Sequence, residues 1–398
     1  MMKKKKLADS TLLCNDDQIY WEHKGAIVPP MYQNSLFAFD GWDAIDQAFK
    51  EPSESYIYSR LHNPTSRIVE KKIANLAGAE DAKLTASGMG AISAAILHFV
   101  NYGDHIVTIK DIYAPANKFI NEFLMDKCGV TCTFVNGTQI EAFAEALKEN
   151  TSLIYLESPA SITMTIQDIK AIVKLAKEKG VKTVIDNTCA TPLFQKCIGM
   201  GVDLEVHSVS KYLGGHSDIV AGVIIGGKKD LSEILMKEHA LLGPKMAPFE
   251  SWLLLRSLRT LSLRMKAHEE GGLLVAKYLD AHPKVKKVNH PGLKTFLQYD
   301  LASRQMSGFG SLMSFELVTN DLAKIKSFVD GLQLFHLGVS WGGYESLVYA
   351  PVISYAKELP PERFDAMGIT AGLIRISVGL EQPDDLIQDL TQAFQLFD

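Results

Sequence analysis

From about residue 56 onward the chain alternates between two textures. Short apolar runs, HIVTIK (105–110), LIYLE (153–157), TVIDN (183–187) and LEVHSV (204–209), are separated by longer helix-like stretches. Such alternation predicts a parallel sheet wrapped by crossover helices, because apolar runs of this kind suit strands buried on both faces. One helix can be counted directly. Ile169, Ile172, Val173 and Ala176 recur at i, i+3, i+4 and i+7, while Lys170, Lys174, Lys177 and Glu178 take the other face. Gly180 supplies its stop. The run that follows, VKTVIDNT, sets an aspartate at the downstream end of a strand, the end where open parallel sheets bind ligands.

The pattern divides the chain in three. Residues 1–55 hold no sustained period, and Pro29 and Pro30 mark an N-terminal arm. Residues 56–255 carry the α/β alternation. Beyond about residue 255 come a long helical stretch, GSLMSFEL, a helix near 321–332 and strand-like pieces ending in LIRISVG, which predict a smaller α+β C-terminal domain over 256–398. A length of 398 residues accommodates two domains, and the crevice between them is the natural site. No internal repeat is present.

Composition narrows the function classes. With 47% hydrophobic and 22% charged residues the chain reads as a folded, water-soluble protein. A net charge of −5 disfavours nucleic acid and anionic membranes, both of which need a concentrated positive field. Lys3 to Lys6 read as a solvated, frayed terminus. Five cysteines without paired spacing predict no metal site and fit a reducing cytoplasm. No apolar segment approaches the roughly 20 residues of a membrane span, and the start lacks a signal-peptide pattern, so a cytoplasmic location is expected.

The chemistry centres on HSVSKYLGGHSD (207–218). Val202, Leu204 and Val206 alternate toward Lys211, delivering its amine to the end of a strand, where partial burial disfavours the ammonium. A neutral amine attacks aldehydes, and a pyridoxal cofactor needs one for covalent attachment. Ser208 and Ser210 flank it with hydroxyls suited to a phosphate, and Gly214 and Gly215 allow close backbone approach. Such a cofactor also needs a buried carboxylate to keep its ring nitrogen protonated, and Asp186 fits. Ser87, Gly88 and Met89 look like a glycine turn opening an apolar helix whose first amides can hold an anion. Each signal alone has an ordinary reading as surface lysine, turn aspartate or helix start. Their joint order along one α/β domain sets them apart.

At this point the chain resembles the pyridoxal-phosphate enzymes of cysteine and methionine metabolism. The resemblance rests on YSRLHNPT (58–65), TASGMGA (85–91), YLESPASITM (155–164), VIDNT (184–188), SVSKYLGGHSD (208–218), VSWGGYESL (339–347) and IRISVGLE (374–381). It implies the fold type I, aspartate aminotransferase-like architecture: a large cofactor domain with a mainly parallel sheet and a small α+β domain, assembled as a homotetramer of catalytic dimers. By that similarity Lys211 carries pyridoxal 5'-phosphate, Asp186 pairs with its ring nitrogen, and Gly88, Met89, Ser208 and Ser210 hold its phosphate. Tyr58 and Arg60 resemble the pair that reaches the neighbouring subunit's phosphate. Tyr113 would stack on the ring and assist proton transfer, while Ser340 and Arg375 would fix the substrate carboxylate.

Within the family, Trp341 in SWGGYESL and the SPASITM run resemble bacterial cystathionine β-lyases. Other features, NPT after Arg60, GG after Leu213 and YAPAN at Tyr113, depart from that pattern. The expected activity is carbon–sulfur cleavage by β-elimination on a small sulfur-containing amino acid, with Trp341 either selecting substrate or packing the cleft. The alternative is γ-elimination or γ-replacement on cystathionine, methionine, an O-acylated homoserine or canavanine. Two remoter alternatives are a nicotinamide oxidoreductase, although Ser93 stands where the third glycine of a dinucleotide fingerprint belongs, and a non-catalytic binding protein. Cys189, close to Asp186, reads as a small buried thiol.

Overall fold

The computed structural model describes residues 7–15, 17–358 and 369–396, so Lys3 to Lys6 lie outside the described residues. Seven strands form the larger sheet: β1 (Asp81–Thr85), β2 (His105–Ile109), β3 (Thr131–Val135), β4 (Thr151–Glu157), β5 (Lys182–Asp186), β6 (Leu204–Ser208) and β7 (Gly222–Gly226). Their order is β1-β7-β6-β5-β4-β2-β3. The pairs from β6 through β3 are parallel, and β7 runs against both β6 and β1. Strands β1, β2 and β7 are buried at every position, as expected of strands covered on both faces.

Two apolar clusters cover those faces. Alternation along β7 shows the division: Val223 and Ile225 join one cluster, Ile224 the other. Helix Ile169–Glu178 buries Ile169, Ile172, Val173 and Ala176, the four positions its periodicity selects, and Gly180 follows with φ +69°. Helix Gly88–Phe99 opens on Ser87, whose side chain accepts a hydrogen bond from the Gly90 amide.

A second sheet holds β8 (Val285–Asn289), β9 (Leu312–Leu317), β10 (His336–Leu337), β11 (Leu347–Tyr349) and β12 (Leu373–Ser377), ordered β10-β11-β12-β9-β8. Its central strand β12 is antiparallel to β9 and β11 and carries Arg375. Helix Leu261–Asp280 packs beside β8 and β9.

The arm differs from its expectation. It contains helices Asp9–Cys14, Asp17–Glu22 and Trp42–Lys50, and Leu13 is fully buried in the core. The ammonium of Lys72 donates to the carbonyls of Leu12, Leu13 and Asn15, satisfying the end of the first helix from outside. Elsewhere the arm leaves Trp21, Ile27, Leu36, Trp42 and Phe49 exposed. No described helix is long and apolar enough to cross a membrane.

Candidate active site

The site grows from the downstream ends of β4, β5 and β6. Glu157 and Asp186 end neighbouring strands and stand in register. Two residues past the end of β6, Ser210 leads into Lys211, whose turn is closed by the Lys211 amide donating to the Ser208 carbonyl at 3.2 Å. Arg264, buried in the long helix behind, donates to the carbonyls of Tyr212 at 2.7 Å and Ser257 at 3.0 Å. Gly215 has to be glycine here: its φ is +67°, and a Cβ would collide with the Arg264 guanidinium. The Tyr212 hydroxyl accepts from the amides of Ser311 and Leu312, tying the lysine's turn to the start of β9.

These elements wall a cavity of about 570 Å³. From the larger sheet it is lined by Gly88, Met89, Tyr113, Asp186, Ser208, Ser210 and Lys211. Ser340, Trp341 and Arg375 close it from the smaller one. Ten of the twelve residues selected from the sequence therefore meet at one place. Tyr58 and Arg60 do not. They lie outside the cavity, with Tyr58 exposed and the Arg60 guanidinium donating to the carbonyl of Ala240 at 2.5 Å.

Lys211 meets the description of a reactive amine. Burial lowers its pKa to about 8, Arg375 adds to the effect and Asp186 opposes it. Its Nζ donates to Ser340 Oγ at 2.5 Å and lies 5.7 Å from the centre of the Trp341 ring. Ser340 is held at φ +78°, an uncommon conformation for a side chain-bearing residue, and its carbonyl accepts from Arg375 Nη2 at 3.2 Å. The Arg375 guanidinium rests on the Tyr349 ring, 5.0 Å from its centre. Trp341 is buried, edge-on to Tyr212 at 5.4 Å, so it packs the cleft as well as lining it.

Asp186 is buried, and that burial raises its pKa. Bonds from the Thr188 hydroxyl at 2.5 Å and amide at 2.9 Å pull the other way, as do the charges of His207 and Lys211. Glu157 is raised as well, to about 8, through burial and the Asp186 charge beside it. This holds although Glu157 accepts from the Tyr113 amide at 2.5 Å and the Ser161 amide at 2.8 Å. The pair shares less than two full negative charges at neutral pH. Burial pushes the Tyr113 hydroxyl up, with Asp186 and Glu157 reinforcing it. Cys189 is a buried thiol raised well out of the reactive range by burial, as its sequence suggests.

Glu157 and Thr188 were not selected from the sequence, although both left a signal. LIYLE ends on a carboxylate just as TVIDN does, and a threonine two places after an aspartate matches an Asx-type turn.

The residues present fit pyridoxal phosphate. An added Cβ on Gly88 would lie 2.8 Å from Ser208 Cβ, so the helix start and the β6 end are packed as closely as glycine allows. At that junction the first amides of the helix have no partner within it by position, and the hydroxyls of Ser208 and Ser210 join them in the lining. A phosphate fits that donor set, a ring nitrogen fits buried Asp186, and an aldehyde carbon fits the Lys211 amine. The two sheets and this constellation define an enzyme of the fold type I, aspartate aminotransferase-like class, dependent on pyridoxal phosphate.

Comparison with known proteins agrees. The Cys/Met metabolism PLP-dependent enzyme family matches residues 10–395, and the chain belongs to that family. It is 38% identical over 372 residues to the L-methionine gamma-lyase of Treponema denticola, covering 93% of this chain and 92% of that one. It is equally 38% identical over 372 residues to the cystathionine beta-lyase of Lactococcus lactis subsp. cremoris, covering 93% and 94%. A crystal structure of cystathionine gamma synthase from Xanthomonas oryzae pv. oryzae, in complex with aminoacrylate and cysteine, superposes with a TM-score of 0.91 at 34% identity, covering 98% of both chains.

Proposed function

We propose that this protein is a carbon–sulfur lyase that cleaves a sulfur-containing amino acid by β-elimination, with cystathionine as the substrate class. The observation that carries the reading is Lys211: a buried amine with a lowered pKa, held by Ser340 between the carboxylate Asp186 and the guanidinium Arg375. When bound, pyridoxal phosphate supplies an electron sink that makes the Cα–H bond of an amino acid acidic. Arg375 grips the substrate carboxylate through its planar fork. Lys211 takes the Cα proton, and Asp186 keeps the ring nitrogen protonated. Tyr113 or Lys211 delivers a proton to the departing sulfur as the Cβ–S bond breaks. Hydrolysis of the three-carbon remainder then gives pyruvate and ammonia, with homocysteine as the thiol released from cystathionine.

A second reading, γ-elimination, is favoured by relatives named L-methionine gamma-lyase at 38% and 39% identity. It needs a second proton removed at Cβ before the group at Cγ leaves, a step Lys211 can also serve. Product analysis separates the two. Incubation with cystathionine yields pyruvate and homocysteine under the proposal, whereas 2-oxobutyrate with cysteine refutes it.

Under the same reading the protein works in the cytoplasm as a homotetramer built from catalytic dimers. Tyr58 and Arg60, outside their own chain's cavity, would then complete the neighbouring phosphate site, and the exposed apolar residues of the arm would be covered by assembly. The three-part division at residues 55 and 255 belongs to this proposal as well.

A further inference from the structure

One aromatic ring in the cavity wall has no part in the reaction above. Tyr349 ends β11 and stands opposite Arg375 of β12 in antiparallel register. Directly opposed residues on antiparallel strands place their side chains on one face of the sheet, so the pairing itself sets the ring beside the guanidinium. The central carbon of that guanidinium lies 5.0 Å from the ring centre. Both side chains line the cavity.

The ring is held at its tip and along its body. Its hydroxyl is hydrogen-bonded to the Ser354 hydroxyl, on the helix Val352–Glu358 that follows β11. Its body packs against a small buried cluster of Ile162, Ile369 and Leu373, and Ala114 packs there too. Ile162 belongs to the SPASITM run and Ala114 follows Tyr113, so a ring from the smaller sheet is wedged against loops of the larger one. Leu373 lies two places before Arg375 on β12 and shares its face by alternation. The support and the group it supports therefore lie on one strand face.

A long arginine side chain loses several rotatable bonds when it is fixed for binding. An aromatic ring lowers that cost by attracting the cation to its face. Unlike a carboxylate in the same place, a ring neither neutralises the guanidinium nor fills a fork suited to two carboxylate oxygens. The Ser340 carbonyl accepts from one nitrogen of the same group, Nη2, at 3.2 Å. Edge and centre are thus held by two supports of different kinds.

We propose that Tyr349 is a positioning residue for substrate recognition: its packed ring fixes the Arg375 guanidinium in place while leaving its charge for the carboxylate of an incoming amino acid. This rests on the assignment of Arg375 to the substrate carboxylate and is independent of the choice between β- and γ-elimination.

The test uses the holoenzyme and two ligands without a leaving group, L-alanine and ethylamine, its counterpart lacking the carboxylate. Titration followed by the absorbance of bound pyridoxal phosphate gives a Kd for each, and their ratio measures what the carboxylate contributes. In Tyr349→Leu that ratio should fall about tenfold, almost wholly through weaker binding of L-alanine. Tyr349→Phe keeps the ring and its packing, and its ratio should stay within about threefold of native. An unchanged ratio in Tyr349→Leu overturns the proposal, whether both affinities are native or both fall together, as in a general loss of structure. A loss in Tyr349→Phe as large as in Tyr349→Leu overturns it too. Arg375→Gln, measured beside them, separates the two levels of failure. A native ratio there refutes the carboxylate assignment and takes the proposal with it; a ratio lost there but kept in Tyr349→Leu refutes the role of Tyr349 alone. If Tyr349→Leu does not fold, Tyr349→Met, which fills the space with a flexible chain and no ring, is read against the same expectations.

Discussion

The lowered pKa of Lys211 can be tested before any substrate is chosen. Burial, then the Arg375 charge, bring the amine from the ordinary 10.5 to about 8. At pH 7 roughly one amine in ten is then neutral, against about three in ten thousand for an ordinary lysine, a difference of about 300-fold. Since only the neutral amine attacks an aldehyde, the rate at which apoenzyme captures pyridoxal phosphate should climb about tenfold per pH unit below about 8 and level off above it. Borohydride quenching followed by mass spectrometry of the Lys211 peptide gives that rate across the range. A rate still climbing tenfold per unit at about pH 9.5 would mean that the amine keeps its aqueous character, and the burial argument would fail. Replacing Arg375 with Gln removes the second cause, so the break should move upward; an unmoved break takes Arg375 out of the account.

Other outcomes follow from single contacts. Lys211→Ala should abolish borohydride-trapped attachment, and an adduct on another lysine would show that the wrong amine has been named. Arg375→Ala removes a two-pronged charged grip of about 3 kcal/mol, so KM for amino acid substrates should rise about 100-fold; steady-state kinetics with an unchanged KM would remove the residue from the carboxylate site. Arg264→Met strips a donor from the carbonyls of Tyr212, Leu213 and Ser257, and denaturant titration should show a loss of about 3 kcal/mol or more. Native stability there would mean that the turn holds itself. In Glu157→Gln one side-chain amide group must face a backbone N–H, so the Tyr113 loop should shift and kcat fall about tenfold; full kcat would show that other contacts place Tyr113.

Most residues of the candidate site were legible because they sit where sequence periods end, and the structure brings them to one cavity. The strand leading to Lys211, the aspartate closing TVIDN and the serine–glycine helix start are each local patterns, and the fold only had to bring their ends together. Glu205 and Arg264 were not legible for the opposite reason. In LEVHS the alternation of apolar and ionisable residues resembles a strand with one wet face, yet helices cover both faces and the polar side is dry. Arg264 lies on a helix in a run rich in charge, and only the packed turn behind it explains why a guanidinium is buried there. Leu13 likewise gains its place from Lys72, a partner almost sixty residues away that no local period can reveal.

Ser340 touches two groups to which the proposed function gives different tasks, the Lys211 amine through its hydroxyl and the Arg375 guanidinium through its carbonyl. A carboxylate arriving at Arg375 draws on a donor that also helps keep this residue in its unfavourable backbone state. Under the proposed function, docking of one end of an amino acid would be transmitted, through a single peptide, to the Lys211 amine at the other end. Proton removal and substrate arrival would then be linked at a joint one residue long.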